Sequence, residues 1–526
     1  MAPHRIGRAR FAVAVVLATM LAGATTSAAN AAAASAPHGP VVVTSDGALL
    51  GTATATTDEF LGVPYAAPPV GALRWRPPQP AAHWSGVRAA TAFAPHCAQP
   101  VTPFGKPSMS EDCLFLNVFT PSGHTDRHRP VMVWIHGGAL VTGESDDYTP
   151  ADLVRDGTVV VTINYRLGAL GFLAHPALTT QPGGPSGDYG LMDQQAALQW
   201  VQRNIGAFGG NAHDVTIFGE SAGGLSVLSQ LASPGGHRLF SRAIVESGAY
   251  NPTQASLATA EAQGQAFATN AGCASQTAAC LRDLPVSTIL ANENTGGYTP
   301  DIDGKVLVRT LKTAFATGQF NRVPIMNGSN HDEDRLFVAL IELAGGHVTA
   351  ANYTAMITSA LGVPAAVADA IAAQYPLSAF ASPAIALGAV GTDAIFACHA
   401  QTLDDSVSKF VPTYAYEFND ENAPELFLPP VSFPYGAAHA SELPYVFNTA
   451  STPTPGGLSS AQIRLAGTMQ RYWTGFAARG FPSTFGAPFW PPFNGTGLIQ
   501  SLVTPEPSVE NGFAADHHCA FWDAFG

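Results

Sequence analysis

The first half of the chain alternates short runs of β-branched and aromatic residues with longer stretches in which apolar residues recur every three or four positions. Continuous apolar runs are typical of strands that are buried on both faces, and the longer repeat is typical of helices. The runs that predict strands are 131–135, 159–163, 215–218 and 242–245, with later candidates at 324–326 and 414–418. This alternation predicts an α/β fold with a large, mostly parallel central sheet and helices on both faces.

Three stretches carry the helical pattern. The first spans 191–205, with apolar positions at Leu191, Leu198, Val201 and Ile205. The second covers the alanine-rich residues 346–400. The third is a late helix whose predicted apolar face consists of Ile463, Ala466, Met469, Trp473 and Phe476. Strand and helix signals continue on both sides of the proline- and glycine-rich stretches, which predicts one domain over residues 37–526.

The first 36 residues are predicted to be a secretory signal peptide. Arg5, Arg8 and Arg10 form a positive segment without acidic residues, an apolar stretch follows over 11–24, and small residues continue to position 36. The apolar stretch is too short to span a membrane comfortably. No other stretch has a transmembrane pattern, so the mature chain is expected to be extracellular and to lack an integral membrane segment.

Composition narrows the possible functions. Of the 526 residues, 46% are hydrophobic and 12% are charged, which indicates a globular chain with a substantial core. The net charge is −14 and basic residues do not cluster beyond the N-terminus, so nucleic-acid binding is not expected. The sequence contains no phosphate loop, dinucleotide fingerprint or metal-ligand cluster, which predicts an enzyme without a cofactor. It carries no signal of oligomeric state.

The chain has six cysteines, which suggests disulfides in a protein predicted to be secreted. Six cysteines allow fifteen pairings. Two pairs that are close in sequence stand out, Cys97 with Cys113 and Cys273 with Cys280, and these would leave Cys398 for Cys519. Structural zinc is the alternative, but no C-x2-C spacing is present.

One serine lies where such a fold would place a nucleophile. Ser221 is the centre of the pentapeptide 219–223 (GESAG), between the predicted strand 215–218 and a run of small residues. G-x-S-x-G between a strand and a helix is typical of a nucleophile elbow, in which glycines make room for a sharp turn. The turn places the hydroxyl at a helix N-terminus, where developing negative charge is favoured. The segment at 143 also begins GES but has no closing glycine, so we interpret 144–147 as a polar loop.

A serine hydroxyl is a weak nucleophile and needs a base, usually histidine, that an acid orients. In α/β-hydrolases the acid and then the histidine follow the serine along the chain. His439 is a candidate base, because the small residues around it leave the imidazole room to reach a pocket. Its alternatives after the serine are His237, His331, His347, His399, His517 and His518, of which the last two lie beside Cys519.

Candidate acids follow the predicted strand at 324–326. Asp332, Glu333 and Asp334 lie at its carboxyl end, where sites form in open α/β sheets, although a solvated acidic loop is the alternative. A third group of residues must bind the negative oxygen of the tetrahedral intermediate. The segment 136–139 (HGGA) follows strand 131–135 as an oxyanion loop would, and the backbone N–H of Ala222 is a further candidate donor.

Together these motifs resemble the type-B carboxylesterase family, the α/β-hydrolases that include carboxylesterases, cholinesterases and para-nitrobenzyl esterases. The resemblance runs from about residue 60 to the end of the chain. The segments that carry it are 60–66 (FLGVPYA), 110–117 (SEDCLFLN), 187–194 (GDYGLMDQ), 208–211 (FGGN), 218–224 (FGESAGG) and 519–522 (CAFW).

The resemblance implies a role for individual residues. Segment 328–334 matches the family pattern G-x-N-x-D-E-G and implies Glu333 as the triad acid. Segment 436–443 implies His439 as the base. The residues implied to bind the oxyanion through their N–H groups are Gly138, Ala139 and Ala222. Asp334 departs from the usual glycine, and it either alters the titration of Glu333 or faces solvent.

The family also implies structural features. Its disulfides agree with the pairs Cys97–Cys113, Cys273–Cys280 and Cys398–Cys519. It further implies two buried ion pairs, Arg74 with Glu111 and Arg166 with Asp193, and a serine beside the triad, Ser247.

The function implied is that of a secreted serine carboxylic-ester hydrolase, which acts on a small-molecule ester through an acyl-enzyme intermediate. A lipase or another specialised ester hydrolase of the same family is the alternative, and so is a non-catalytic relative used in adhesion. Cholinesterases carry a choline-binding tryptophan in the loop 97–113, and family lipases use this loop as a lid. Here Phe104 is the one aromatic residue of the loop, which argues against a choline-ester hydrolase, and the loop is short.

Overall fold

Eleven strands form one sheet in the computed structural model, which describes residues 39–123, 128–294, 296–447 and 457–525. In chain order the strands are β1 (Thr52–Ala53), β2 (Thr57–Pro64), β3 (Phe115–Pro121), β4 (Arg129–Ile135), β5 (Val159–Ile163), β6 (Gly210–Glu220), β7 (Arg242–Glu246), β8 (Ile325–Asn330), β9 (Thr413–Phe418), β10 (Ile499–Leu502) and β11 (Ser508–Glu510). Their order across the sheet is β11, β10, β9, β8, β7, β6, β4, β5, β3, β2, β1.

The seven neighbouring strands from β10 to β5 run parallel, and antiparallel pairing is confined to the two edges of the sheet. The predicted α/β fold with a mostly parallel sheet is confirmed. Because parallel strands all end at the same edge, the loops that follow β4, β6 and β8 lie side by side there. Each of these three loops carries candidate residues from the sequence.

Strand β4 shows why its sequence is a continuous apolar run. Val131, Val133 and Ile135 belong to the core cluster on one side of the sheet, while Met132 and Trp134 belong to the cluster on the other side. All five side chains are fully buried. Neighbouring residues of a strand point to opposite faces, so a strand covered on both faces needs apolar residues at every position.

Helices cover both faces of the sheet. Within the described part of the chain the α-helices are Ala151–Arg155, Gly168–Phe172, Pro176–Thr179, Tyr189–Asn204, Ala222–Ala232, Leu257–Asn270, Ala278–Asp283, Val286–Ala291, Leu311–Ala316, Arg335–Leu343, Tyr353–Leu361, Ala365–Gln374, Pro383–Gly391, Cys398–Val407, Leu443–Phe447, Ser460–Arg479, Phe513–Asp516 and Cys519–Trp522. A π-helical turn, Thr392–Ala397, joins Pro383–Gly391 to Cys398–Val407 without interruption. The helices predicted at 191–205 and within 346–400 are confirmed.

The late helix Ser460–Arg479 is confirmed, but one residue of its predicted apolar face is wrong. Ile463 is 59% exposed, whereas the face that packs on the sheet centres on Leu465, Met469 and Phe476, which are fully buried. At 100° per residue, Ile463 lies about 200° around the helix from Leu465. It therefore points away from the sheet, and spacing by threes and fours alone did not separate the two faces.

Two small sheets and three disulfides complete the fold. One small sheet joins Val41–Val43, Ala48–Leu50 and Val87–Ala89, and the other joins Ala255–Ser256 to Asp301–Ile302. The three predicted disulfides are confirmed: Cys97–Cys113, Cys273–Cys280 and Cys398–Cys519. The chain from Gly39 onward clusters into one compact unit. The predicted signal peptide lies outside the described residues.

One described helix, Pro383–Val407, is long and apolar enough by length and composition to cross a membrane. Of its most apolar window, 67% is buried inside the protein, as in the core helix of a globular fold. A second candidate arises only if Tyr353–Leu361 and Ala365–Ala379, which meet at 114°, are counted as one span.

Candidate active site

Ser221 lies on a sharp turn between β6 and the helix Ala222–Ala232, as the pentapeptide predicts. Its backbone has φ 55° and ψ −122°, a conformation that non-glycine residues rarely adopt. A Cβ at Gly219 would lie 2.6 Å from the carbonyl carbon of Gly223, and a Cβ at Gly223 would lie 1.9 Å from the carbonyl oxygen of Ile135. Both glycines are therefore required for the turn to pack against the end of β4.

Replacing Gly223 with alanine is expected to destabilise the protein by about 3 kcal/mol or more, because a backbone atom opposes the new methyl group. The urea concentration at half-unfolding measures this effect. Gly206→Ala is the matched control, since a Cβ there would meet no atom within 4 Å. Equal unfolding midpoints for the two variants would show that the turn tolerates a side chain.

The structure brings Glu333 and His439 together across 106 positions of sequence. The Nδ1–H of His439 donates to Oε2 of Glu333 at 2.6 Å, and the backbone N–H of Asn330 donates to Oε1 at 2.8 Å. Glu333 is fully buried and His439 is 6% exposed. Both carboxylate oxygens are thus held, and the bond to Nδ1 leaves Nε2 of the imidazole free to exchange a proton.

The two loops that carry Glu333 and His439 are joined by further hydrogen bonds. The N–H of Asp332 donates to the carbonyl of Ala437 and the N–H of Ala437 donates to the carboxylate of Asp332, both at 3.0 Å. The N–H of His439 donates to the carbonyl of Glu333 at 3.2 Å. Asp332 is therefore a structural residue of this site. Its bonds to Ala437 hold the loop of Glu333 against the loop of His439.

The Nε2 atom of His439 lies at the end of β6. It is 3.1 Å from Oε1 of Glu220, the residue before Ser221, and it has no hydrogen-bond partner within the described ranges. The hydroxyl of Ser221 likewise makes no hydrogen bond to the imidazole in this structure. In enzymes without substrate such bonds are often long or misaligned, and they form in the substrate complex.

Carboxylates surround His439 and change its titration. Burial alone lowers the pKa of His439, but the charges of Glu220, Glu333 and Glu442 outweigh burial and raise the pKa to about 9. Burial raises the pKa of Glu220 to about 8, with Glu442 and Glu333 adding to this and His439 opposing it. An imidazole with a raised pKa is protonated at neutral pH and becomes a base only in alkaline solution.

Glu220→Gln is expected to move the acid limb of the pH profile of kcat/KM by about one unit toward lower pH. The variant removes a negative charge that stabilises the protonated imidazole, so His439 loses its proton at lower pH. The measurement is kcat/KM for a neutral ester between pH 5 and 10. Glu510→Gln, an exposed position on β11, serves as the control. An acid limb that stays in place would show that Glu220 does not set this titration.

The segment 136–139 lies beside Ser221, as an oxyanion loop requires. A Cβ at Gly137 would lie 3.1 Å from Cβ of Ser221. The next three residues have left-handed backbones, with φ of 97° at Gly138, 56° at Ala139 and 59° at Leu140. No group in the described chain accepts the N–H of Gly138 or Ala139. Both N–H groups therefore remain candidate donors to a substrate oxygen.

Hydrogen bonds to the backbone carbonyl groups of segment 136–140 fix its conformation. The N–H of Tyr298 donates to the carbonyl of Ala139 at 3.0 Å, and the N–H of Gly168 donates to that of Leu140 at 2.6 Å. The hydroxyl of Tyr165 donates to the carbonyl of His136, and the two rings stack at 4.5 Å. Burial lowers the pKa of His136 to about 4, so this histidine is neutral and structural.

The order of these motifs and their assembly at one edge of the sheet agree with one protein family. A sequence model of the carboxylesterase family matches residues 38–522. The chain belongs to the carboxylesterase family. Its members are carboxylic-ester hydrolases, so the protein is an enzyme that acts on ester substrates.

Curated relatives agree with this family assignment. The chain is 36% identical to fumonisin B1 esterase of Sphingopyxis macrogoltabida over 480 residues. These aligned residues make up 86% of this chain and 84% of the relative. It is 35% identical to carboxylesterase 1C of Rattus norvegicus over 523 residues, 92% and 93% of the two chains. It is 34% identical to para-nitrobenzyl esterase of Bacillus subtilis (strain 168) over 494 residues, 90% and 96%.

Several residues of this carboxylesterase take the positions that the resemblance implied. Arg74 binds Glu111, with Nε donating to Oε1 at 2.6 Å. Arg166 binds Asp193 through two hydrogen bonds of 2.7 Å, and this pair is almost completely buried. Both predicted ion pairs are confirmed. Ser247 follows β7 in a left-handed conformation, and its buried hydroxyl has no partner among the described residues.

Asp334, where the family usually has glycine, is buried rather than solvated. It is 7% exposed, and its carboxylate lies against Gly391, where a Cβ would be 2.1 Å from Oδ2. Burial raises the pKa of Asp334 well above its usual value, with Glu333 adding to this and His439 opposing it. The alternative that Asp334 faces solvent is therefore wrong, and Gly391 provides the space that it fills.

The loop between Cys97 and Cys113 packs on the segment 142–147 in this carboxylesterase. Gln99 donates to the carbonyl of Gly143 and accepts its N–H at 2.8 Å, while the N–H of Lys106 donates to Glu144. Glu144 and Ser145 are buried and Asp146 and Asp147 are partly exposed, so the predicted polar loop 144–147 is a partly buried turn. The ring of Phe104 contacts that of Phe427 at 5.6 Å. The loop is therefore fixed to the neighbouring segment at Gln99 and Lys106.

One group in the described chain has ligand atoms close enough to share a cation. These atoms belong to His96, Glu144 and Asp146 and lie within 4.8 Å of one another. The ammonium of Lys106 is 3.4 Å from Glu144 and 3.7 Å from Asp146. Because a protein cation already balances these carboxylates, we assign no metal to the group.

Proposed function

We propose that the protein is a secreted serine carboxylic-ester hydrolase with Ser221 as nucleophile, His439 as base and Glu333 as the acid of the triad. The main support is the 2.6 Å hydrogen bond between Glu333 and Nδ1 of His439, formed between two loops at the same sheet edge as Ser221. This bond fixes the tautomer in which Nε2 accepts a proton. That atom faces Oε1 of Glu220 at 3.1 Å without a hydrogen bond among the described residues, and Glu220 directly precedes Ser221.

In the first half of the reaction the serine hydroxyl attacks the ester carbonyl carbon, and its proton passes to Nε2 of His439. The N–H groups of Gly138, Ala139 and Ala222 stabilise the negative oxygen of the tetrahedral intermediate. The alcohol then leaves with the proton from Nε2. Glu333 stabilises the transient imidazolium, which a buried carboxylate at hydrogen-bond distance does strongly.

In the second half, water attacks the acyl-enzyme while His439 takes its proton. The carboxylic acid forms, and Ser221 recovers its proton from the imidazole. The raised pKa of His439 limits how much of the enzyme carries a free base at neutral pH. We therefore expect turnover to rise between pH 7 and 9.

Within this family the protein is proposed to be an esterase rather than a lipase. The loop 97–113 would have to move to act as a lid, but hydrogen bonds to Gly143 and Glu144 and a disulfide hold it. The loop also lacks the tryptophan of choline-ester hydrolases. A small-molecule ester fits these observations better than a substrate at an oil interface.

The proposal is tested with p-nitrophenyl esters of two to sixteen acyl carbons, measured below and above the solubility limit of each ester. We expect the highest kcat/KM for short acyl chains and no increase in rate when droplets form. Activation by droplets of a long-chain ester would instead identify a lipase.

Covalent labelling separates the proposed mechanism from a non-catalytic role. An organophosphate should add one phosphoryl group per chain, with loss of activity, and peptide mass spectrometry should locate it on Ser221. Absence of label from a folded, purified protein would favour an adhesion or binding relative.

Secretion is proposed from the predicted signal peptide of residues 1–36 and is supported by the three disulfides. The mature protein is proposed to be one domain, residues 37–526, without an integral membrane segment. Mass spectrometry of the N-terminus of protein from the culture medium tests both statements.

A further inference from the structure

The continuous helix Pro383–Val407 contains the π-helical turn Thr392–Ala397, which lies next to the candidate active site. A π-turn gives up the regular hydrogen-bond pattern and often occurs where a helix must present side chains for function. Here the turn directs Asp393 to the C-terminal segment of the chain and Phe396 to His439. The same six residues therefore contact two parts of the protein that are far apart in sequence.

Phe396 belongs to a cluster of rings around His439. Its ring centroid is 5.1 Å from that of His439, 5.7 Å from that of Tyr250 and 5.9 Å from that of Phe337. Phe337 also contacts His439, at 5.2 Å. Phe396 is 5% exposed, so it supports the imidazole from inside the protein. Aromatic contacts at this distance restrict the ring and stabilise its protonated form.

His517 holds the other side of the turn. Its Nδ1–H donates to Asp393 at 2.6 Å and its Nε2–H donates to Glu417, on β9, at 2.5 Å. Because both ring nitrogens face carboxylates, both must carry hydrogen and the ring is a cation. Burial lowers the pKa of His517, but the two carboxylates outweigh it and raise the pKa to about 10. The buried cation thus ties the turn to the central sheet.

The same connection has further bonds. The hydroxyl of Tyr375 donates to the second oxygen of Asp393 at 2.6 Å, and the indole N–H of Trp522 donates to that hydroxyl at 2.7 Å. The disulfide Cys398–Cys519 joins the residue after the π-turn to a residue two positions after His517. Ionic and covalent bonds therefore fasten the C-terminal segment to one turn of one helix.

We propose that the C-terminal segment 513–522 is a positioning element of the active site, in which His517 fixes the π-turn and Phe396 on that turn fixes the imidazole of His439. Both are positioning residues, since neither reaches the reacting atoms. The inference rests on the proposed function, because it assumes that His439 is the catalytic base. It adds that the base is held by residues beyond the triad and that these depend on the end of the chain.

Phe396→Leu tests the contact to the base. We expect kcat to fall about tenfold with little change in KM, because a base that is free to turn spends less time in reach of the serine. The acid limb of kcat/KM should move about half a unit toward lower pH, because the protonated ring loses its aromatic neighbour. Phe396→Tyr should restore both values.

The pH shift can be assigned to the ring contact because Phe396→Leu leaves the titratable groups that face His439 unchanged. These groups are Glu220, Glu333, Asp334, Glu425 and Glu442. Around His517 the corresponding groups are Asp393, Glu417, His331 and His518.

His517→Gln tests the connection to the C-terminal segment, with His347→Gln at an exposed position as the matched control. We expect a lower melting temperature together with the kcat and pH changes of Phe396→Leu, measured at least 20 °C below unfolding. If His517→Gln does not fold, the variant Asp393→Asn is measured in its place. A lower melting temperature with unchanged kcat and pH profile would make the cluster purely structural and overturn the proposal.

Organophosphate labelling of every variant separates this proposal from the proposed function. If Ser221 is labelled in full but kcat and the pH profile match the wild type, the positioning role alone is wrong. If Ser221 is not labelled in the wild type, the proposed function is wrong as well.

Discussion

Ser221→Ala is expected to lower kcat for ester hydrolysis by about 10⁴-fold or more while KM changes little. The variant keeps the fold, because the alanine methyl occupies the same position as the serine Cβ on the turn. It removes the oxygen atom that attacks the carbonyl carbon. The residual rate should come from binding and the oxyanion loop alone.

The measurement is steady-state hydrolysis of p-nitrophenyl acetate by wild type and variant from the same purification. Ser508→Ala, an exposed position on β11, controls for the loss of a hydroxyl elsewhere. Unfolding in urea should give the same midpoint for all three proteins. Near-normal turnover in Ser221→Ala would mean that the reaction uses another nucleophile.

Glu333→Gln is expected to lower kcat by about 10³ to 10⁴-fold. An amide of the same size can donate its own N–H to Nδ1 of His439 and so favour the wrong tautomer. It also removes the negative charge that stabilises the imidazolium during acylation. Both effects act in the transition state, so kcat should fall far more than KM rises.

Asp334→Asn is the matched control for Glu333→Gln, because it is the next residue in the same buried loop. Burial raises the pKa of Asp334 well above its usual value and so favours the neutral form, which an amide of equal size resembles. We expect turnover within about threefold of wild type. A large loss in Asp334→Asn with a small loss in Glu333→Gln would exchange their assigned roles.

The sheet was predictable because its strands are buried on both faces. A run such as 131–135 has apolar side chains at every position, and this requires a core on each side of the strand. The elbow was predictable for a similar reason, since only glycines fit where Gly219 and Gly223 contact backbone. In both cases local sterics determine the residue type, and the sequence records that requirement directly.

The site was predictable only in part from its residues. Pattern alone left Asp332, Glu333 and Asp334 equivalent, because each follows the same strand. The structure separates them by direction: Asp332 bonds to Ala437, Glu333 to His439, and Asp334 packs on Gly391. The roles of these adjacent carboxylates differ because residues distant in sequence lie opposite each of them. Only the resemblance to a family indicated that Glu333 is the triad acid.

The aromatic and charged groups behind His439 could not have been predicted from spacing. Phe396 reaches the imidazole only because the helix contains a π-turn, and a turn with one extra residue has no clear sequence signal. From sequence, His517 is one of the alternatives to His439 as base. Its position between two carboxylates, Asp393 and Glu417, depends on pairing across 124 and 100 positions of sequence.

The disulfide Cys398–Cys519 joins residues 121 positions apart and so closes a covalent ring. His439, strands β9 and β10 and the helix Ser460–Arg479 all lie within this ring. A protease that cuts once inside it leaves both pieces attached to one molecule. Such a nicked enzyme would run as a single band until a reducing agent is added, and its base would stay tethered to its nucleophile.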